Sequence, residues 1–175
     1  MQFNIDGLPL FKTDGIELWP LLAKIDFSSN LYQPLVIAVY CGKVKPKLLN
    51  RFFAKFMEEL NTLLENGMDI EDVHFVVEVN CFIRDRPARS FVKNMVNHKG
   101  YYACDRCAQK GISHDKRMLF TSISAPLCTD ESFREKQNPE HHNETAPLIN
   151  ILPKIDVVYC FVLDFMHLCC LGVMK

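Results

Sequence analysis

Apolar and polar positions follow three different rhythms along the chain, and each rhythm predicts a different kind of element. Residues 2–11, QFNIDGLPLF, set apolar side chains around Asp6-Gly7, the pattern of a short strand that ends or turns at Gly7. Thr13-Asp14-Gly15 is a turn signal suited to a hairpin, and the following GIELWPLLAKI reads as a second strand that Pro20 confines to an edge or interrupts. The run PLVIAVY, residues 34–40, is continuously apolar, rich in β-branched residues and stopped at Gly42, as in a strand buried on both faces. The period then changes. Leu48, Leu49, Phe52, Phe53, Phe56, Met57, Leu60, Leu63 and Leu64 recur at three- and four-residue steps, which predicts an amphipathic helix over 46–66, opened by Pro46 and closed by Asn66-Gly67. VHFVVEVNCFI, residues 73–83, predicts a fourth strand that delivers Asp85 just past its end, and a short helix is expected over 87–96.

This order of elements predicts an α/β fold with a mixed sheet, in which residues 1–97 form the core. In a ribonuclease H-like fold the first and fourth strands lie side by side, so Asp6 and Asp85 would face each other across 79 positions of sequence. Beyond residue 97 the character shifts. Gly100-Tyr101-Tyr102 and Cys104-x-x-Cys107 lead into a polar stretch with few regular signals, which reads as an insertion over 98–150. A structureless loop of that length is uncommon in a compact domain, so a bound metal is expected to hold it. Residues 151–175 return to a packed apolar pattern and read as the start of a further core segment.

Composition narrows the class. With 175 residues, 49% hydrophobic and 23% charged, the chain is neither disordered nor fibrous. No basic and then apolar leader follows Met1, so a nuclear or cytoplasmic location is expected and secretion is not. The most membrane-like stretch, residues 157–174, carries Asp164 near its middle, where a carboxylate costs roughly 2.5–3.5 kcal/mol on insertion scales, so no membrane partner is expected. Cys41, Cys81, Cys160, Cys169 and Cys170 fall singly or paired inside apolar runs, where reduced cysteine acts as a small hydrophobe. The net charge of −1 favours no polyanion, yet residues 84–117 hold nine Lys and Arg against three Asp, a local +6 that leaves −7 for the rest. Arg84, Arg86, Arg89, Lys93, Lys99 and Arg106 in this segment are candidates for a phosphate backbone, the competing reading being a solvated face.

Two strand-end carboxylates suit a pair of hard cations, Mg²⁺ or Mn²⁺, that activate an attacking oxygen and stabilise a leaving one. The plainer reading is an Asp-Gly turn at Asp6 and salt bridges from Asp85 to Arg84 or Arg86. Cys104 and Cys107 have the spacing by which one turn offers two thiolates to Zn²⁺, with further ligands among His98, His114, His141, His142 and His167. A redox pair or bystander cysteines are the alternatives. Tyr101 and Tyr102 suit base stacking or packing of the metal knuckle. Asp164 and His167 stand one helical turn apart in an apolar run, as a metal ligand with its support or as a buried pair that fixes the fold.

Several blocks together resemble the DDE-type transposases of the CACTA (En/Spm-like) group, in the variant found in invertebrate genomes. They are Ile5-Asp6-Gly7-Leu8-Pro9-Leu10, Phe11-Lys12, Trp19-Pro20, Gly42-Lys43, Lys45-Pro46, Asp85-Arg86-Pro87-Ala88-Arg89, Gly100-Tyr101-Tyr102 with Cys104-x-x-Cys107, Ala125-Pro126-Leu127, Thr129-Asp130-Glu131-Ser132-Phe133 and Leu163-Asp164-Phe165-Met166-His167. The resemblance spans essentially the whole chain. It implies a ribonuclease H-like core that cuts transposon ends and joins them to DNA, with Asp6 and Asp85 as catalytic carboxylates. Cys104, Cys107 and His167 are implied as zinc ligands. Such enzymes need a third acid on a helix well downstream, and Asp164 belongs to a separate block of the family, so the chain reads as a core fragment, incomplete at its C-terminus and with little activity alone. Oligomerisation would run through the missing regions, and apolar surface near the C-terminus is expected to be exposed. The alternative is a non-catalytic, zinc-stabilised nucleic-acid- or protein-binding module derived from a transposon; a thiol oxidoreductase is a more distant one.

Overall fold

A computed structural model describes residues 1–11, 15–26, 33–166 and 169–170. The chain opens with β1 (Gln2–Ile5), β2 (Leu8–Pro9), β3 (Glu17–Lys24) and β4 (Leu35–Gly42), followed by α1 (Leu49–Asn66). A small hairpin, β5 (Met68–Ile70) and β6 (Val73–Phe75), precedes β7 (Cys81–Arg84) and α2 (Arg86–Val92). Then come β8 (Ile112–His114), β9 (Arg117–Leu119), α3 (Asp130–Arg134), two short 3₁₀ turns (Pro139–His141 and Pro147–Asn150) and β10 (Phe161–Leu163).

Five of these strands lie in the spatial order β4, β3, β1, β7, β10, with β2 beside the start of β3. β3 runs antiparallel to both β1 and β4, while β7 runs parallel to β1 and β10 parallel to β7. The protein is therefore a mixed α/β fold on a mixed sheet. Among the described residues no helix is long and apolar enough to cross a membrane.

One face of the sheet carries the core. Phe3, Phe82 and Phe161 stand in register on β1, β7 and β10, and their rings stack at 5.2 and 4.8 Å. Over them lies α1, whose Leu49, Phe53, Phe56 and Leu60 recur at four-, three- and four-residue steps and are all buried; Phe56 meets Phe3 edge-on at 5.3 Å. The helix starts at Leu49, past the Pro46 of the sequence expectation, and stops where Gly67 takes a φ of 66° and bonds back to the Leu63 carbonyl at 2.9 Å.

Three sequence expectations are corrected. The stretch 73–83 is two strands: β6 turns back on β5, and only β7 enters the main sheet. The helix after Asp85 ends at Val92, short of residue 96. The apolar run in β4 is an outer strand, with Leu35, Val36, Ile37 and Val39 all 39–64% exposed, because among the described residues β3 alone pairs with it, while Tyr40 meets Phe52 of α1. Pro20, by contrast, sits in a strand flanked on both sides. β2 pairs with Glu17 and Leu18, β1 pairs with Leu21 to Lys24, and Pro20 falls in the gap between the two.

Side-chain bonds tie residues 98–150 to one another and to the segment that follows. Arg106 donates to the carbonyls of Val158 and Phe161, the latter at 2.8 Å, and Arg134 donates to those of Ile149 and Ile155 at 2.6 and 2.8 Å. Thr129 and Ser132 form a reciprocal cap on α3. Phe165 and Met166, beyond β10, are exposed, in line with the apolar surface expected there.

Candidate functional site

The parallel strands end together, and each is followed by an aspartate. β1 pairs Asn4 with Ile83 on β7, and β7 pairs Arg84 with Leu163 on β10. Continuing that register past the strand ends sets Asp6, Asp85 and Asp164 level along one edge, all half-buried. Two further bonds bind the strands at this edge: Asn4 Nδ2 donates to the Ile83 carbonyl at 2.9 Å, and the Asp164 N–H donates to the Arg84 carbonyl at 3.0 Å. Asp164, left unassigned from sequence, joins the row because β10 is parallel to β7, a pairing that no local pattern announces.

Each carboxylate is oriented by local backbone. Asp6 accepts from the Gly7 N–H at 2.8 Å, and a Cβ on Gly7 would sit 2.6 Å from the Trp19 ring, so any other residue there would have to displace that ring. Asp85 caps α2, taking the Ala88 N–H on Oδ1 at 2.7 Å, with Pro87 just inside the helix. Capping is an ordinary structural duty for an aspartate and leaves its second oxygen to other partners.

Beneath the row lies Arg84, 1% exposed. One Nη donates to the Ile5 carbonyl at 3.4 Å, while the guanidinium sits over the rings of Phe82 and Phe161 at 5.2 and 5.6 Å. Burial lowers its pKa to about 9, and the charges of Asp6 and Asp85 oppose that fall. The edge is thus a set of carboxylates over one buried cation.

The basic segment does not form the surface expected of it. Arg84 at the end of β7, Arg89 on α2 and Lys93 just after α2 are 1–2% exposed and face the interior. The Arg89 Nε lies 2.9 Å from Asp105, a contact close enough for an ion pair but poorly aligned as a hydrogen bond. Arg106 is spent on the carbonyls of Val158 and Phe161, and Arg86 lies near the Ala103 carbonyl at 3.4 Å and over the Phe120 ring. Of the six, Lys99 alone is exposed. Sequence reasoning missed Lys43, Lys45 and Lys47, which are exposed; their alternation in GKVKPK was the available signal.

Cys104 and Cys107 do meet, with sulfurs 3.0 Å apart, and Cys107 also accepts from Gln109 Nε2 at 2.8 Å. Cys128 is close by in the backbone, its N–H bonded to the Arg106 carbonyl at 2.9 Å. Burial first, and its bond to Cys104 second, push the Cys107 thiol above its ordinary range, opposite to what a thiolate nucleophile needs. Two thiolates on tetrahedral zinc stand about 3.8 Å apart at ordinary Zn–S lengths, so the pair would open slightly around a metal. Among the described residues no three His, Cys, Asp or Glu side chains form a group that could hold a metal ion. His141 bonds the Tyr102 carbonyl through Nδ1 at 2.6 Å, and His142 packs on Phe133. His114 is exposed beside Asp115 and His98 is half-buried. His167 lies outside the described residues.

The chain is thus a mixed α/β protein whose candidate site is the carboxyl edge of its parallel strands. No protein-family model, no curated protein and no solved structure matches it.

Proposed function

We propose that the chain carries the core chemistry of a DDE-type transposase, the metal-assisted cleavage and transfer of DNA strands. The observation that carries this reading is the parallel register of β1 and β7, which brings Asp6 and Asp85 level from 79 positions apart. A ribonuclease H-like reading of the sheet is supported by its order, with β1, β3 and β4 leading in antiparallel pairs beside the short β2, then a helix, and then β7 and β10 parallel to the first strand. Mg²⁺ needs only one or two carboxylates, its remaining positions being taken by water and phosphate oxygens, so the donor set fits Mg²⁺ or Mn²⁺ without a third converging acid. Asp6 and Asp85 would hold the ions, whose chemistry is to activate the attacking oxygen and stabilise the leaving one. The Gly7 turn and the cap on α2 keep both carboxylates oriented before any ligand arrives. Cys104 and Cys107 would supply half of a structural zinc site, with His167 a third ligand by resemblance.

The test is nicking of supercoiled DNA in Mg²⁺ or Mn²⁺. The activity is expected to be weak and to fall to background in Asp6→Asn and in Asp85→Asn, while both variants keep their fold. Nicking that survives both substitutions would end this reading. One zinc per chain, lost in Cys104→Ser, is the matching expectation for the knuckle, read by metal analysis.

A second reading, a non-catalytic nucleic-acid- or protein-binding module, is favoured by Arg84, whose buried charge already compensates Asp6 and Asp85. DNA binding unaffected by either aspartate change, with no nicking, would select it.

A further inference from the structure

β4 and β1 are each antiparallel to β3, so β4 ends at the same edge of the sheet as Asp6, and Lys43, Lys45 and Lys47 leave it there. Between this segment and α2 runs a cavity of about 280 Å³, lined by Lys45, Lys47, Ser90, Asn94, Asn97 and Asn143 among others. Pro87, two residues past Asp85, forms part of its wall. A second cavity of about 290 Å³ shares Lys47, Asn94 and Asn143 and continues over the first turn of α1 past Asn50 to Glu144. Glu144 is the one acid in either lining.

The floor is fixed. The Asn143 N–H bonds the Asn94 carbonyl at 3.0 Å, and its side-chain amide bonds the Met95 carbonyl at 2.7 Å. Lys45 lies over the Phe91 ring at 5.0 Å, which holds the ammonium beside the groove and covers the aromatic that a base would need for stacking. Ammonium and amide donors without an available stacking ring suit phosphate and sugar oxygens better than bases. The first turn of α1 adds its positive end, with no acid and no side-chain cap to neutralise it.

We infer that this groove binds the phosphodiester backbone of one DNA strand and leads it to the carboxylate edge, with Lys45 and Lys47 as its principal contacts. The choice of DNA rests on the reading of Asp6 and Asp85 given above; the anionic, backbone-type ligand rests on the groove itself.

The test is fluorescence anisotropy of a labelled DNA oligonucleotide against the whole chain in EDTA, at several salt concentrations. Lys45→Ala/Lys47→Ala is expected to weaken binding about tenfold or more and to reduce the slope of log K against log salt by about 1.4 to 1.8, two phosphate contacts' worth. Lys45→Arg/Lys47→Arg should retain most of the affinity, and Lys55→Ala, exposed elsewhere on α1, should change neither quantity. All three positions changed are exposed, so a melting temperature close to that of the parent is expected. Unchanged affinity and slope in the alanine double variant would overturn the proposal, as would a mononucleotide binding as tightly as the oligonucleotide. Loss of nicking in Asp6→Asn together with binding indifferent to Lys45 and Lys47 would sink the groove alone. Groove-dependent binding without nicking in any preparation would sink the catalytic reading and leave the groove standing.

Discussion

β7 and β4 invert what their sequences suggest. β7 ends in arginine and is buried along one face, with Phe82 at 0% and Arg84 at 1% exposure. β4 has no charged residue at all, yet Val36 and Val39 are more than half exposed. The difference lies in neighbours: β7 has a strand on each side and a covering layer, whereas β4 has β3 alone. Burial is conferred by position in the sheet, and strand propensity describes fit to a half-buried surface wherever that surface happens to be. The two basic segments repeat the lesson, since Arg89 on α2 and Lys93 at its end are interior while Lys45 and Lys47 in a loop face solvent.

The comparison breaks most sharply at the phenylalanine ladder. Phe82→Ala removes the ring stacked between Phe3 and Phe161 and is expected to cost about 3–5 kcal/mol in denaturant unfolding. Val39→Ala on β4 should cost well under 1 kcal/mol, and equal costs would refute the contrast.

Next comes Lys93, whose pKa burial lowers from 10.5 to about 8, with Asp105 opposing the shift. Folded, Lys93 gives up its proton from about pH 8; unfolded, it holds it to about 10.5. The unfolded state therefore binds more protons in that window, so this residue's contribution to stability rises with pH from 8 to 10.5 and is least favourable below 8. Lys93→Met should flatten that rise and stabilise the protein at pH 7 by up to about 3 kcal/mol, less the attraction the ammonium gains over the Phe133 ring at 4.6 Å. A variant that is less stable at pH 7 would mean that the charge is held favourably.

The smallest effect is expected on the outer strand. Val36→Lys should change unfolding stability by no more than about 0.5 kcal/mol while reducing self-association in sedimentation, because a lysine on an open strand edge discourages pairing with another chain.

Much of the local structure was legible. The three- and four-residue recurrence from Leu48 to Leu64 gave α1, and Asn66-Gly67 gave its end. Asp6 and Asp85 were identifiable as strand-end residues because each follows an apolar run. What could not be read is non-local. Nothing around Leu163 states that β10 lies beside β7, so the level of Asp164 was hidden. Nothing in VHFVVEVNCFI marks where it divides, because the break follows from β5 capturing β6. The basic run reads as one surface because charge is visible in sequence and the direction of a helix face is not, so nothing separates Arg89 and Lys93 from Lys99. The bonds from Arg106 and Arg134 to backbone carbonyls are equally hidden, because such arginines look like any other surface cations until their partners are known.

The parallel register also sets an order of events during synthesis. β1 and β3 are joined by a short connection and can pair almost as soon as both have emerged, but the other side of β1 waits for β7, and β7 for β10, each partner about 79 positions later along the chain. Bringing such distant segments together is slow and repays its entropy only when the strands lock. The carboxylate edge therefore forms well after the hairpin that carries its first member. Until β7 and β10 arrive, Asp6 is simply an acid at the end of that hairpin, with no level neighbours.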